Sequence, residues 1–180
     1  MGGTRMAEKQ IPWLLILLAV AARLAPHPFN LTPIGALGLF AGAHVRPGLA
    51  WLVPLVALVV GDAVTGFYDP VITAGVYLGF LAGPLLGYLV LGQRQSVVRV
   101  GGAALGSGTV FFLVSNFAMW LSGQSIYSPT LDGLIDCYLN GLSLFGHTLL
   151  GDVGYATVLF GGVALVRRAS RQTGRPMARA

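Results

Sequence analysis

The sequence predicts an all-α integral membrane protein, a compact bundle of six transmembrane helices. Three observations predict it: an apolar composition, six apolar segments of helical length, and basic residues sorted to alternate connections. The chain has 180 residues, of which 55% are hydrophobic and 9% charged, with mean hydropathy +0.76. Soluble domains carry about 25% charged residues, and disordered chains pair low hydrophobicity with high charge. Both classes are excluded. The 26 glycines and 10 prolines are spread through apolar runs, as in membrane helices. A single cysteine, Cys137, rules out an intramolecular disulfide and a thiolate zinc cluster.

A hydrocarbon core of about 30 Å needs roughly 20 helical residues per crossing. The segments are 11–26, 33–45, 48–67, 71–92, 97–122 and 138–166. The domain is therefore 11–166, between a cytoplasmic arm at 1–10 and an Arg-rich cytoplasmic tail at 167–180. Segment one has a basic start and holds Ala19-Val20-Ala21, which also fits a cleaved signal peptide. Arg23 and the Pro-rich turn after it argue for a bundle helix. The second segment is short and is expected to start further back, near Phe29. The third and fourth carry Pro54 and Pro84 and should bend.

The fourth segment also carries Gly75, Gly79, Gly83 and Gly87. Four-residue spacing aligns them on one face as a packing seam, because small residues let backbones approach where lipid supplies no hydrophobic drive. Gly38/Gly42, Gly102/Gly106 and the Ala21/Ala25 pair on the first segment repeat the pattern.

Orientation follows the Lys/Arg bias. With a cytoplasmic N-terminus, Arg5, Lys9, Arg46, Arg94, Arg99, Arg167, Arg168, Arg171, Arg175 and Arg179 all lie inside. The outer side holds Asp62, Asp69, Asp132 and Asp136. The sequence thus predicts a multi-pass protein of the bacterial inner membrane with both termini cytoplasmic. The net charge of +5 is a topology signal. Membrane lipid is the expected environment, and nucleic acid is not a partner.

Ionisable and amide side chains inside a span are costly and mark functional positions by default. They concentrate in the outer half: Arg23, Asn30, Asp62, Asn116, Trp120, Asn140, His147 and Asp152. These form the expected substrate-binding set. Asp136, Asn140, Ser143 and His147, at steps of 4, 3 and 4, make one stripe on the sixth helix. Asp152 is expected about 10 Å below the outer boundary. Arg23 is the only base on that side, so an Arg23–Asp152 or Arg23–Asp62 pair is expected.

Enzyme chemistry finds no support. Ser107 and His147 fall at opposite depths, so a nucleophile–base pair is out of reach. The histidines sit near boundaries, which argues against haem. No nucleotide-binding or HExxH motif is present. No catalytic residue, cofactor or resident metal is expected, although Asp62, Asn116, His147 and Asp152 are chemically able to hold a cation.

Several motifs together carry a resemblance. They are Asn30-Leu31-Thr32-Pro33-Ile34-Gly35-Ala36, Gly61-Asp62, Asn116-Phe117-Ala118-Met119-Trp120, TLDGLIDCY from Thr130 to Tyr138, and Leu149-Leu150-Gly151-Asp152 with Leu159-Phe160-Gly161. They resemble a family of six-span bacterial membrane proteins that is distantly similar to the S components of energy-coupling-factor transporters. The resemblance implies a vitamin-like compound or metal bound in an outward-facing pocket. It also implies a transmembrane coupling subunit and two ATPases as partners. In S components an Ala-x-x-x-Ala pair on helix 1 packs on the coupling subunit, and Ala21 and Ala25 match that spacing. The expected function is a non-enzymatic substrate-binding subunit for uptake. The alternative is a small accessory or scaffold subunit of a larger membrane complex, docked through the glycine face of the fourth helix.

Overall fold

The computed structural model describes residues 2–25, 32–92, 94–124 and 126–173. Asn30 and the expected Phe29 start of the second helix lie outside the described residues. Every regular element described is helical. In chain order they are α1 (Gly2–Leu24), α2 (Ile34–His44), α3 (Pro47–Ala50), α4 (Leu52–Thr65), α5 (Pro70–Phe80), α6 (Ala82–Leu86), a π-helical turn (Gly87–Leu91), α7 (Val97–Leu121) and α8 (Leu131–Thr173).

Four stretches are long and apolar enough to cross a membrane: Pro47–Thr65, Pro70–Leu91, Val97–Leu121 and Leu131–Leu165. Two shorter apolar helices, Gln10–Leu24 and Ile34–His44, accompany them. This is a helical membrane protein, and its six apolar helices coincide with the six apolar segments of the sequence. The end holding residues 66–69, 122–124 and 126–130 is the outer end in the charge-based orientation.

The prolines act where backbone chemistry puts them. Pro84 has no N–H and its ring crowds the carbonyl four residues earlier. The span accordingly breaks at Leu81, between α5 and α6, and continues as the π turn. Pro54 similarly follows the break at Trp51 between α3 and α4. Pro12 sits inside α1, which continues across it.

Two elements differ from expectation. At 11 residues α2 is about 16 Å long, half a bilayer core. Its Ile34, Leu37, Leu39 and Ala41 are completely or almost completely buried, and it packs against α1, α4, α6, α7 and α8. It is the axis of the bundle. Helix α8 begins at Leu131, earlier than the expected 138. The Thr130 hydroxyl accepts from the Gly133 N–H at 3.3 Å, and Asp132 lies in the first turn. Both features stabilise a helix start, so the polar run before Tyr138 is helical.

The glycine seam is filled from within. A Cβ on Gly75 or Gly79 would run into Ala118 or Phe111 of α7, and one on Gly83 or Gly87 into the α2 backbone. Gly38 and Gly42 meet Pro84 from the other side. Among the described residues, a Cβ on Gly102 would meet nothing within 4 Å, and one on Gly106 would meet Leu86. The α1 pair is a correction: Ala21 and Ala25 are exposed. The buried face of α1 is Pro12, Leu15, Ile16 and Ala19, one helical stripe laid mainly on α4, so the alanines point away from the bundle. At Gly87 the obstructing atoms are backbone, the Leu39 carbonyl and Gly42 Cα, which cannot swing aside. Gly87→Ala should therefore cost about 1–3 kcal/mol, read as a lower unfolding midpoint in detergent. An unchanged midpoint would contradict the seam.

Candidate functional site

The outer half of the bundle contains a cavity of about 330 Å³. Its walls come from α5 (Ile72, Val76, Phe80), α7 (Phe111, Phe112, Ser115, Asn116, Met119) and α8 (Gly141, Leu144, Phe145, Thr148, Asp152), with Arg23, Thr32 and Tyr68 completing it. Phe80 meets Phe111 with ring centroids 4.4 Å apart, and Phe112 meets Phe145 at 4.5 Å. Tyr68, in the outer loop, is exposed, and Met119 is two residues from the outer end of α7. These two residues place the mouth at the outer end.

Its polar groups are few and fixed. Asn116 Nδ2 donates to the Phe112 carbonyl at 2.8 Å. Thr148 Oγ1 donates to the Leu144 carbonyl at 3.1 Å. Cys137 Sγ, buried on the next turn of α8, donates to the Asn116 carbonyl at 3.4 Å. Asn116 Oδ1 also accepts from the Cys137 thiol at 3.9 Å and, like Thr148 Oγ1, keeps a lone pair able to accept.

Arg23 and Asp62 are the expected ion pair. Arg23 Nη2 donates to Asp62 Oδ1 at 3.0 Å, and the Tyr77 hydroxyl donates to Asp62 Oδ2 at 2.9 Å. Both carboxylate oxygens are held, and Asp62 is 2% exposed. The Arg23 side chain crosses Gly61, where a Cβ would strike its Cγ and Nε. That explains the glycine before the aspartate. Arg23 Nε is buried without a hydrogen-bond partner among the described residues.

Asp152 is different. It does not pair with Arg23; the Arg23–Asp62 contact is the ion pair among the described residues. It is 4% exposed and wedged between two glycines, since a Cβ on Gly35 of α2 or Gly108 of α7 would strike its carboxylate. The Ala36 backbone amide, at the start of α2, lies beside it. Pro33, at the cap position of α2, offers no side-chain cap, so an acid from α8 serves a helix start that has none of its own. The positive end of the α2 dipole favours that charge.

Asp152 is also deeper than expected. Gly108 is 11 residues from one end of α7 and 13 from the other, about 16–20 Å at 1.5 Å per residue. The acid therefore lies at mid-depth and floors the cavity. A charge at the centre of a bilayer costs about 2.5–3.5 kcal/mol or more.

Several expected site residues are placed elsewhere. Asn140 and His147, with Asp136 and Ser143, are exposed on the outside of α8. Asn140 Nδ2 bonds back to the Asp136 carbonyl at 2.8 Å and Ser143 Oγ to the Asn140 carbonyl at 3.3 Å. The face of α8 turned inward is Cys137, Gly141, Phe145, Thr148, Asp152, Ala156 and Phe160. It is offset by one residue from the polar stripe, and one residue is 100° of rotation. Trp120 does not line the cavity; its Nε1 donates to the Ser128 carbonyl at 3.0 Å and ties down the loop before α8. Arg23, Asn116 and Asp152 do line it, while Asp62 stands behind Arg23.

The cavity residues missed in the sequence are Thr148, Ser115 and the phenylalanines. Thr148 had a signal, four residues before Asp152 on the same helical face. Among the described residues, no three His, Cys, Asp or Glu side chains converge to hold a metal. The set of Asp62, Asn116, His147 and Asp152 is broken by the exposure of His147 and the pairing of Asp62.

A second cavity of about 790 Å³ lies at the opposite end, bounded by His44, Gln95 and Ser96 and by α8 from Val153 to Arg168. Asp152 lines the outer cavity and Val153 and Ala156 line the inner one.

Comparison with known proteins gives one match. The model of the family of unknown function DUF6580 covers residues 5–173. No curated protein and no solved structure matches the chain.

Proposed function

We propose that this chain, which belongs to the DUF6580 family, is a membrane-embedded binding subunit for uptake of a small organic molecule. It captures its ligand from outside the bacterial inner membrane, with both of its own termini in the cytoplasm. The observation that carries this reading is the outer cavity, about 330 Å³, walled by aromatic rings and floored by a buried acid. Ligand sites are commonly 300–1,000 Å³, mostly apolar, with a few placed polar groups. The second cavity, at the opposite end, suits passage through the bundle once the packing between the two opens. The chain has no nucleotide motif, so energy for uptake comes from partner subunits, a transmembrane coupling protein with ATPases. The exposed Ala21 and Ala25 on α1 are a suitable surface for the coupling protein. The scaffold alternative relied on a free glycine face between residues 75 and 87, and that face is filled by α2 and α7.

Native mass spectrometry of the purified protein tests the reading. The expected result is a co-purified organic molecule of vitamin-like mass. It should be lost in Met119→Trp, which narrows the mouth. Recovery of lipid alone, in wild type and variant alike, would contradict it.

A further inference from the structure

The charges lining the outer cavity do not balance. Arg23 and Asp152 are its two charged side chains. Arg23 is matched by Asp62 at 3.0 Å, and the other oxygen of Asp62 is held by Tyr77. Asp152 is the acid on this wall without a cationic partner among the described residues, and a cation placed against it is what would hold it ionised. Its neighbours are Gly35, Gly108 and the Ala36 amide, and a helix end supplies only about half a charge. An intramembrane acid on a cavity wall with no cationic partner among the described residues is positioned as the counter-ion of a ligand.

The rest of the cavity says what kind of cation. Its volume far exceeds a bare ion, and no three-ligand metal cluster is present among the described residues. Phe80, Phe111, Phe112 and Phe145 supply aromatic surface, which attracts organic ammonium groups as well as apolar bodies. Asn116 and Thr148 keep acceptor oxygens on the wall, suited to ammonium N–H donors.

We infer that the ligand is an amphipathic organic cation, a protonated amine or quaternary ammonium on an aromatic or aliphatic body, with its positive charge against Asp152. This deepens the binding-subunit reading and rests on it.

The experiment uses the full chain in lipid nanodiscs and three probes of similar size: phenethylammonium, 2-phenylethanol and phenylacetate. Calorimetry should find phenethylammonium bound at least 10-fold more tightly than 2-phenylethanol, and phenylacetate weakest. Asp152→Asn, which keeps an acceptor for the Ala36 amide, should bind phenethylammonium and 2-phenylethanol equally. Should that variant not fold, the order of the three probes on wild type decides. Equal or tighter binding of the alcohol or the acid overturns the charge assignment and leaves the cavity a binding site. An undiminished ammonium preference in folded Asp152→Asn also overturns it. No binding of any probe overturns both readings.

Discussion

Arg23→Leu is expected to destabilise the fold by about 3 kcal/mol, because removing one partner of a buried ion pair strands the other charge. The stranded group is Asp62, 2% exposed and left with the Tyr77 hydroxyl alone. Arg23 itself is 22% exposed along its side chain, which puts the estimate at the low end of the usual range. The pair also ties α1 to α4, the contact on which α1 depends most. Thermal unfolding in detergent is the measurement. The double variant Arg23→Leu with Asp62→Asn should recover much of the loss, since no bare carboxylate then remains. If Arg23→Leu alone unfolds at the wild-type midpoint, the pair does not hold the bundle.

The second large effect is expected at Asp152. Asp152→Leu removes the carboxylate beside the Ala36 amide, and a leucine side chain in its place keeps the water of the cavity off that donor. An unsatisfied buried donor costs about 1–3 kcal/mol. The bulkier Leu must also fit between Gly35 and Gly108, where even a Cβ meets the existing side chain. The combined loss should be about 3 kcal/mol or more, with α2 detached at its outer end. Asp152→Asn should lose far less, because an amide oxygen still accepts. Equal stability of the Leu and Asn variants would mean that Asp152 does not cap α2. Hydrogen exchange at Ala36 distinguishes a local opening from global unfolding.

The two acids show how far the sequence could be read. Composition and apolar periodicity located six apolar helices, since the expense of polar groups in lipid constrains every span. Arg23 was the only base on the outer side, so its pairing with an acid was legible by elimination. Choosing Asp62 over Asp152 was not. That choice turns on Gly61, which lets the Arg23 chain pass, and on the depth of Asp152, set by where α2 begins. A helix that starts mid-membrane has no signature in hydropathy, because α2 is apolar all round.

The α8 stripe failed for a related reason. Asn140 and His147 are expected in the binding set, with Asp136 and Ser143 on the same stripe, because a polar side chain inside a span is costly. Near the outer boundary a side chain is able to meet headgroups or bond to its own helix, as Asn140 and Ser143 do. The true inward face, one residue on, has small and aromatic residues with Thr148 and Asp152. Glycine pattern was the better guide. Gly35, Gly61, Gly108 and Gly141 each make room for a polar side chain: Asp152, Arg23, Asp152 again and Asn116.

The proposed uptake depends on a ligand cavity that opens outward and reaches the middle of the bundle. Site-directed thiol labelling tests it most directly, with Thr148→Cys in a Cys137→Ala background and a membrane-impermeant methanethiosulfonate. Thr148 lies on the cavity wall one turn above Asp152. Rapid modification from the outer side of intact membranes is expected, slowed by the bound ligand. Modification from the cytoplasmic side alone, or from neither side in a folded protein, would contradict it.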